Sequence, residues 1–544
     1  SWLETIKNGG KPDQTELNNL EYVKQGVNKL NIKYPSLDQR FHLFFRDRKW
    51  SVDEQNWVEW ERKRGKVLDF VRLLRNPSDT SFIFNTGSPQ FLASIKYVIV
   101  IDNDVSLPRD SAKKLIATII HPLNTPVINI DTRMVVSGYG VIQPRISTQM
   151  LSTKKAVSDY IFQGDSGWDS YSNAVSNVYQ DIFGESFFMG RGIFNVDIFD
   201  KILIGRFPEN TLLSHDHLEG FYCRTGFASD ITLYETYPST FRAFCRRLHR
   251  WVRGDWQRIF WILPWVGNEK GRIERNPLSI FQRWKLIEDL AQNLIYPSTI
   301  LILLQLFLFL PDSHLSGLVL FGAVFLINPF LTLVESIPLH LDVWRDWKHH
   351  LLIFRETLKS VLLKSIFNLV FSFHLSLIIS HAISLAMIRI FITKRKRLEW
   401  ATFTETNQDN IQYSYLDSLY EFLPTLILLL VIFLFFVLFI PIDHILIPSL
   451  VFTLWLTMPI LAIVINQPLT AESLFSATEN KYLRIIARKT WRYFDDLVNI
   501  KTNHLPPDHF QKTTFSPVST RTSATNIGMY LLSVSSSFDM GFIT

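Results

Sequence analysis

The chain has 544 residues, which is enough for two or three domains. Hydrophobic residues make up 47% of it and aromatic residues 14%, which is rich for a soluble protein and indicates a membrane portion. The net charge of +6 lies largely in short runs beside apolar segments, which favours an anionic membrane surface over nucleic acid as the partner. Cys223 and Cys245 are the only cysteines, which excludes a disulfide framework beyond one bridge.

Residues 1–260 are predicted to form a soluble α/β domain. In chain order, the pattern predicts a strand over 40–46, a helix over 57–75, a strand over 96–102, a helix from Asp110 to Ile120, and strands over 135–145 and 231–234.

The strand over 96–102 is the most informative of these elements. Its β-branched apolar run ends in Asp102 and Asp104, and such a run predicts a central strand of a parallel sheet, buried on both faces. Ligands of open α/β sheets bind beyond the carboxyl ends of strands. Two carboxylates there suit Mg²⁺ or Mn²⁺ bridging a diphosphate, although a polar turn is the simpler alternative.

Residues 261–470 are predicted to hold interfacial and membrane-spanning helices. Four apolar runs approach the roughly 20 residues that span a bilayer: 296–310, 315–334, 423–442 and 446–465. The run 351–392 carries Ser and His residues and ends in a basic cluster at 394–397, so we expect it to lie in the interface or to form a re-entrant pair. Four spans then keep the α/β domain and the basic cluster cytoplasmic.

Four blocks of residues suit sugar transfer from a nucleotide donor. They are the basic residues Lys63, Arg64 and Lys66; the carboxylates Asp102 and Asp104; the glycine-rich block with Glu185, Phe188 and Gly190; and the block of Asp216, Arg247, Arg250 and Trp251. A cation must neutralise the leaving diphosphate, which we assign to Asp102 and Asp104. A carboxylate must accept the proton of the attacking hydroxyl, which we assign to Asp216. Arginine forks hold phosphate well, and an indole offers a flat face to a sugar or nucleotide.

These blocks resemble a processive GT-A glycosyltransferase of the cellulose-synthase type. The sequence has Asp-x-Asp at 102–104, His-Asp-x-x-Glu-Gly at 215–220 in place of Thr-Glu-Asp, and Arg-x-x-Arg-Trp at 247–251 in place of Gln-x-x-Arg-Trp. More closely, the segments 60–66, 179–185, 205–210 and 249–256 resemble the glucosyltransferase module of cyclic β-1,2-glucan synthases, and the resemblance covers nearly the whole chain.

The resemblance implies a GT-A-like (Rossmann-like) domain over 1–260, cut before its first strand, then a helical transmembrane region. Residues 471–544 would be a cytoplasmic linker and the start of a glycosidase-like (α/α) module. The implied activity is transfer of glucose from UDP-glucose, with inversion and a divalent metal, to a growing β-1,2-glucan at a bacterial inner membrane. Lys63, Arg64, Lys66, Asp102, Arg247, Arg250 and Trp251 would bind the donor, and Glu185, Phe188 and Gly190 the acceptor.

Three alternatives remain at this stage. His215, Asp216 and His217 could instead form the metal site of a hydrolase, with both histidines on one side of a strand. The chain could be a non-enzymatic membrane protein, such as a transporter or scaffold, or an inactive fragment. The motifs alone also allow a β linkage other than 1,2, because linkage depends on which acceptor hydroxyl faces Asp216.

Overall fold

A computed structural model gives the fold of this chain. It describes residues 14–36, 39–76, 80–85, 87–148, 157, 161, 177–235, 240–335, 347–399, 415–466, 476–511 and 517–543. The chain divides into two compact units, residues 1–468 and 469–544.

The first unit combines α-helices and β-strands up to residue 275 with long apolar helices beyond it. Its strands are β1 Phe44–Arg46, β2 Lys49–Ser51, β3 Asn56–Val58, β4 Phe82–Asn85, β5 Tyr97–Val100, β6 Val105–Ser106, β7 Val127–Asn129, β8 Met134–Ser137, β9 Val141–Thr148, β10 Gly192–Asn195, β11 Thr225–Glu235, β12 Trp265–Gly267 and β13 Ile273–Arg275. Its helices before the apolar ones are α1 Gln14–Lys33, α2 Arg62–Arg75, α3 Pro89–Ser94, α4 Ser111–Ile120, α5 Val178–Phe183, α6 Val196–Leu203, α7 Asp216–Cys223 and α8 Phe241–Gln257.

Five strands form a mixed sheet in the order β5-β10-β9-β11-β6. Only β9 and β11 run parallel, and the other neighbouring pairs are antiparallel. The prediction that β5 is the central strand of a parallel sheet is therefore wrong, since β5 lies at one end of the sheet that the described residues form. Its apolar run has another cause: Val98 and Val100 pack against the main core, while Tyr97 and Ile99 pack against a second cluster that includes Leu115. Both faces of β5 are therefore covered, although the strand lies at the edge of the sheet.

At two places a single predicted element consists of two separate elements in the structure. The expected helix over 57–75 begins only at Arg62, because β2 and β3 form a hairpin that pairs Trp50 with Trp57. In place of the expected strand over 135–145 there are two strands, β8 and β9. They are separated at Gly138, which has a φ of +67°, a backbone angle that residues with a side chain rarely adopt. The helix that ends at Ile120 is confirmed.

The apolar region has five helices that are long and apolar enough to cross a membrane within the part of the chain that the structure describes. The helices here are α9 Ile280–Phe309, α10 His314–Glu335, α11 Trp347–Met387, α12 Tyr415–Phe439, α13 Leu446–Leu456 and α14 Met458–Asn466, with α13 and α14 forming one candidate span. The four predicted runs all fall in these helices.

The structure has one continuous helix, α11, where we expected a re-entrant pair, so that prediction is wrong. The polar residues that suggested a break are bonded within the helical bundle: Ser372 accepts from the Trp455 indole at 2.9 Å, and His374 Nδ1 lies 2.8 Å from Thr425 Oγ1. The second half of α11 runs beside α8, with the rings of Phe241 and Phe371 stacked at 4.2 Å. Its position in the interface stays a prediction.

Among its described residues, the second unit contains two α-helices, α15 Ala477–Leu497 and α16 Ala524–Asp539. A capping box at Ser476 and Glu479 fixes the start of α15. The Trp491 and Tyr530 rings stack between the two helices at 6.4 Å.

Candidate active site

A cavity of about 1600 Å³ lies beyond the carboxyl end of β5, between the start of α7 and helix α8. The turn after β5 provides its carboxylates, α2 and α8 its cationic side chains, and α9 part of its wall. The sequence-predicted residues that line it are Lys63, Lys66, Asp102, Asp104, Asp216, Arg247, Arg250 and Trp251. Segments that are up to 188 residues apart in sequence (Lys63 to Trp251) thus meet at one cavity.

Asp102 is held by two cationic side chains. Lys63 Nζ lies 2.8 Å from Asp102 Oδ1, and Arg191 Nε donates to Oδ2 at 2.8 Å. Burial alone would raise the pKa of Asp102, but the Lys63 ammonium and the Arg191 guanidinium outweigh it and lower that pKa to about 2. The carboxylate is therefore ionised throughout the physiological range.

Gly190 brings the backbone of the glycine-rich block against the carboxylate of Asp216. Its φ is +74°, and a Cβ at this position would overlap Asp216 Oδ1 and come within 2.9 Å of Lys63 Nζ. Only glycine satisfies both the backbone angle and the available space. Gly190 thus lets the chain pass directly against Asp216.

Asp216 is the first residue of α7 and lines the cavity with a side chain that is 27% exposed, while its buried Oδ1 has no hydrogen-bond partner. His215 Nδ1 lies 3.5 Å from that oxygen and 3.1 Å from Glu219 Oε2. Burial would raise the pKa of Asp216, but the charges of His215 and Lys63 reverse the effect and lower it. An ionised carboxylate with an unpaired oxygen is suited to accept a proton.

The wall opposite the carboxylates is cationic. Arg247 donates to the buried Glu235 carboxylate at 3.1 Å, and its guanidinium lies 4.3 Å from the centre of the Trp251 ring. Burial first, and then repulsion from Arg247, lower the pKa of Arg250 to about 10, so this side chain stays charged at neutral pH. An anionic ligand would relieve this repulsion, and arginine forks match phosphate oxygens.

Arg191 and Glu235 belong to this site, although the sequence reasoning did not select them. Arg191 pairs with both Asp102 and Glu235, and Glu235 pairs with both Arg191 and Arg247. These contacts link the Asp-x-Asp turn to the Arg-x-x-Arg-Trp segment. Arg191 lies between two glycines, and Glu235 is the first carboxylate after a predicted strand, which are the signals that could have identified them.

Four predicted residues do not line the cavity. One is Gly190, which lies against Asp216, and the other three lie elsewhere. Arg64 is turned into the core, where its Nη2 lies 2.7 Å from Glu61 Oε2. Glu185 accepts from Gln282 at 3.2 Å, and Phe188 is a buried core residue. Because none of them lines the cavity, we do not retain Arg64 as a donor contact, nor Glu185 and Phe188 as acceptor contacts.

The carboxylates of Asp102 and Asp104 fit a divalent cation. Hard oxygen donors on one wall of a cavity are what Mg²⁺ and Mn²⁺ require. Lys63 shares the Asp102 carboxylate, but its side chain is flexible and 24% exposed, so it can yield one oxygen. The donor set is therefore compatible with the predicted metal.

The histidines next to Asp216 do not form the predicted His-Asp-His site. Asp216 starts a helix rather than lying on a strand, and His217 Nδ1 instead contacts Asp289 at 3.2 Å. The ligand atoms of His215, Asp216 and Glu219 do lie within 4.8 Å of one another. His215 and Glu219 are buried and paired with each other, which gives this group a structural explanation as well.

Comparison with known proteins supports the resemblance inferred from the motif blocks. No protein-family model matches the chain. The whole chain is 34% identical, over 553 aligned residues, to the cyclic β-(1,2)-glucan synthase NdvB of Rhizobium meliloti (strain 1021). The chain spans 19% of the length of that curated relative. The predicted resemblance is confirmed, and the chain aligns with one part of that synthase.

Proposed function

Because the chain is related along its whole length to a cyclic β-1,2-glucan synthase, we propose that it is a membrane glycosyltransferase of glucan synthesis. More specifically, we propose that a GT-A-like domain transfers glucose from UDP-glucose, with inversion, to a growing β-1,2-glucan. The observation that carries it is that Asp102, Asp104, Asp216 and Arg250 line one cavity beside apolar helices.

The donor would lie between the carboxylate wall and the arginine wall. Asp102 and Asp104 would hold Mg²⁺ or Mn²⁺, which supplies neutralising charge to the diphosphate when bound. Lys63, Lys66, Arg247 and Arg250 surround the same space and suit the phosphate oxygens. The Trp251 indole, also at the cavity, offers a flat face for the sugar or the base.

Asp216 would act as the general base. The Asp216 carboxylate accepts the proton of an acceptor hydroxyl while the hydroxyl oxygen forms a bond to the anomeric carbon. The bond from the anomeric carbon to the diphosphate breaks with its electron pair, and UDP leaves. One displacement from the opposite face inverts the anomeric centre.

We also propose a location for the protein. The apolar helices place the chain in a membrane, and the basic segment 394–397 contacts the catalytic domain: the Lys396 N–H donates to the Asp53 carbonyl at 2.9 Å. Basic residues in short loops mark the cytoplasmic side. A cytoplasmic catalytic domain at a bacterial inner membrane accounts for both features.

The proposal is tested by UDP release. The chain, extracted in detergent, is incubated with UDP-glucose with and without Mg²⁺ or Mn²⁺, and the linkage of the product is determined. Metal-dependent release of UDP with a β-1,2-linked product supports the proposal. A product with another β linkage would leave glycosyl transfer in place but contradict the β-1,2 linkage. Absence of UDP release contradicts it.

A metal-dependent hydrolase is the second candidate, because His215, Asp216 and Glu219 group their ligand atoms. A hydrolase would cleave preformed β-glucan without a nucleotide. The same preparation, incubated with β-1,2-glucan and metal alone, separates the two functions.

A further inference from the structure

The cavity is larger than a nucleotide-sugar requires. Its volume of about 1600 Å³ exceeds the range of roughly 300–1,000 Å³ that is usual for small-ligand pockets. The donor groups occupy the walls formed by α2, the turn after β5 and α8, whereas a separate wall is formed by one face of α9. We propose that this face of α9 binds the terminal sugars of the glucan acceptor, an inference that rests on the proposed function.

The wall on α9 is polar although the helix is a candidate membrane span. Lys285, Asp289, Gln292 and Asn293 all line the cavity, and their spacing places them on one face of the helix. All four precede the apolar part of the helix, which the sequence gives as 296–310, and belong to the portion that contacts the α/β domain. A polyhydroxylated chain matches such a surface through hydrogen bonds to carboxylate and amide groups.

This wall lies next to the proposed base. Asp289 Oδ2 is 3.2 Å from His217 Nδ1, and His217 follows Asp216 directly in the chain. Arg258 also pairs with Asp289, at 3.2 Å, and fixes its orientation. An acceptor lying along α9 would therefore bring its terminal hydroxyl to Asp216.

Charge separates the two ligands. The diphosphate of a donor is attracted to the guanidinium groups of Arg247 and Arg250. On α9, in contrast, Lys285 Nζ lies 3.2 Å from Asp289 Oδ1, so the charges of these two side chains cancel and the wall suits neutral sugar hydroxyls. The same cavity thus has an anion-binding wall on α8 and a hydroxyl-binding wall on α9.

The experiment compares Gln292→Met and Asp289→Asn with a matched control on the same helix. Ser298→Ala is the control, because the exposed Ser298 hydroxyl bonds to the Leu294 carbonyl at 2.6 Å and does not line the cavity. The KM for a short β-1,2-linked glucose oligosaccharide, the KM for UDP-glucose and the rate of UDP release without acceptor are measured. Binding of the oligosaccharide in the presence of UDP is measured by calorimetry.

We expect both variants to raise the acceptor KM and the calorimetric Kd about tenfold, which is what the loss of one or two hydrogen bonds gives. The donor KM and the acceptor-independent rate should change less than about twofold, as in Ser298→Ala. Unchanged acceptor binding in both variants would overturn the inference, as would an equal loss of donor and acceptor binding. No UDP release by the unmodified chain would instead overturn the proposed function, and calorimetry would still test the subsite.

Discussion

The Lys63 ammonium bridges the Asp102 carboxylate, 2.8 Å from Oδ1 and 3.1 Å from Oδ2. This pair joins helix α2 to the turn after β5, two elements that enclose the cavity from different sides. It also places the cation beside Gly190 and Asp216. Lys63 is therefore positioned to contact an anionic ligand in the cavity.

Replacing Lys63 by Met should weaken donor binding. A charge-assisted hydrogen bond contributes roughly 1.5–3 kcal/mol, so we expect the KM for UDP-glucose to rise about 10- to 100-fold with a smaller change in kcat. Lys66→Met is the comparison, because Lys66 also lines the cavity but pairs with Glu59 at 3.5 Å. Steady-state UDP release gives both constants, and equal effects of the two substitutions would contradict a special role for Lys63.

Gly190→Ala tests the close approach to Asp216. The added methyl group would overlap Asp216 Oδ1 and force the loop or the carboxylate to move, so we expect transfer to fall by about two orders of magnitude. Gly271→Ala is a matched control, because Gly271 has a φ of +70° and nothing within 4 Å of its Cβ position. Both should lose about 1 kcal/mol of stability from backbone strain, but only Gly190→Ala should lose activity. Similar activities of the two variants would show that the contact is unimportant.

The composition of the site could be read from the sequence because its residues lie at recognisable positions. Asp102 and Asp104 end an apolar strand, Gly190 lies in a glycine-rich block, and Arg250 precedes Trp251. The sequence does not show whether neighbouring strands run parallel or antiparallel, because an apolar run indicates only that both faces of the strand are covered. Pairing partners depend on residues far away in the chain.

The sequence also does not predict the direction in which individual side chains point. Arg64 has the same surroundings in the sequence as Lys63, yet it turns inward to Glu61 because residues adjacent in a helix point in different directions. Arg191 and Glu235 were missed for a related reason. Their importance comes from pairing with each other, across 44 residues, and a single sequence does not display such a pair.

Glu235→Gln should destabilise the chain and disturb the arginine wall. Glu235 is buried and neutralises both Arg191 and Arg247, and removing one partner of a buried ion pair costs about 3–5 kcal/mol. We expect a clear fall in the unfolding midpoint, measured by differential scanning fluorimetry in detergent. Glu269→Gln is the control, because Glu269 lies 4.0 Å from Arg72 outside the cavity and should change the midpoint little. An unchanged midpoint in Glu235→Gln would contradict the proposed network.

His215 should make stability depend on pH. Burial would lower the pKa of His215, but Glu219 and Asp216 outweigh it and raise that pKa above 6.5. The charged imidazole therefore stabilises the folded state fully below pH 6.5, and this contribution is lost as pH rises through the raised pKa. We expect the unfolding midpoint to fall in this range, and to fall less steeply in Glu219→Gln. Identical slopes for the two proteins would contradict the assignment.

Asp216→Asn tests the proposed base with almost no change in shape. The amide cannot accept the proton of the attacking hydroxyl, so we expect transfer to fall by about 10²- to 10⁴-fold, the range of general-base contributions. UDP binding should persist, because the arginine wall and the Asp102 and Asp104 carboxylates are unchanged. Calorimetry with UDP and Mn²⁺ measures binding, and UDP release in the presence of acceptor measures transfer. Asp104→Ala is the converse variant, in which metal-dependent UDP binding should be lost. Normal turnover by Asp216→Asn would remove Asp216 from the role of base, because no proton acceptor would remain at that position.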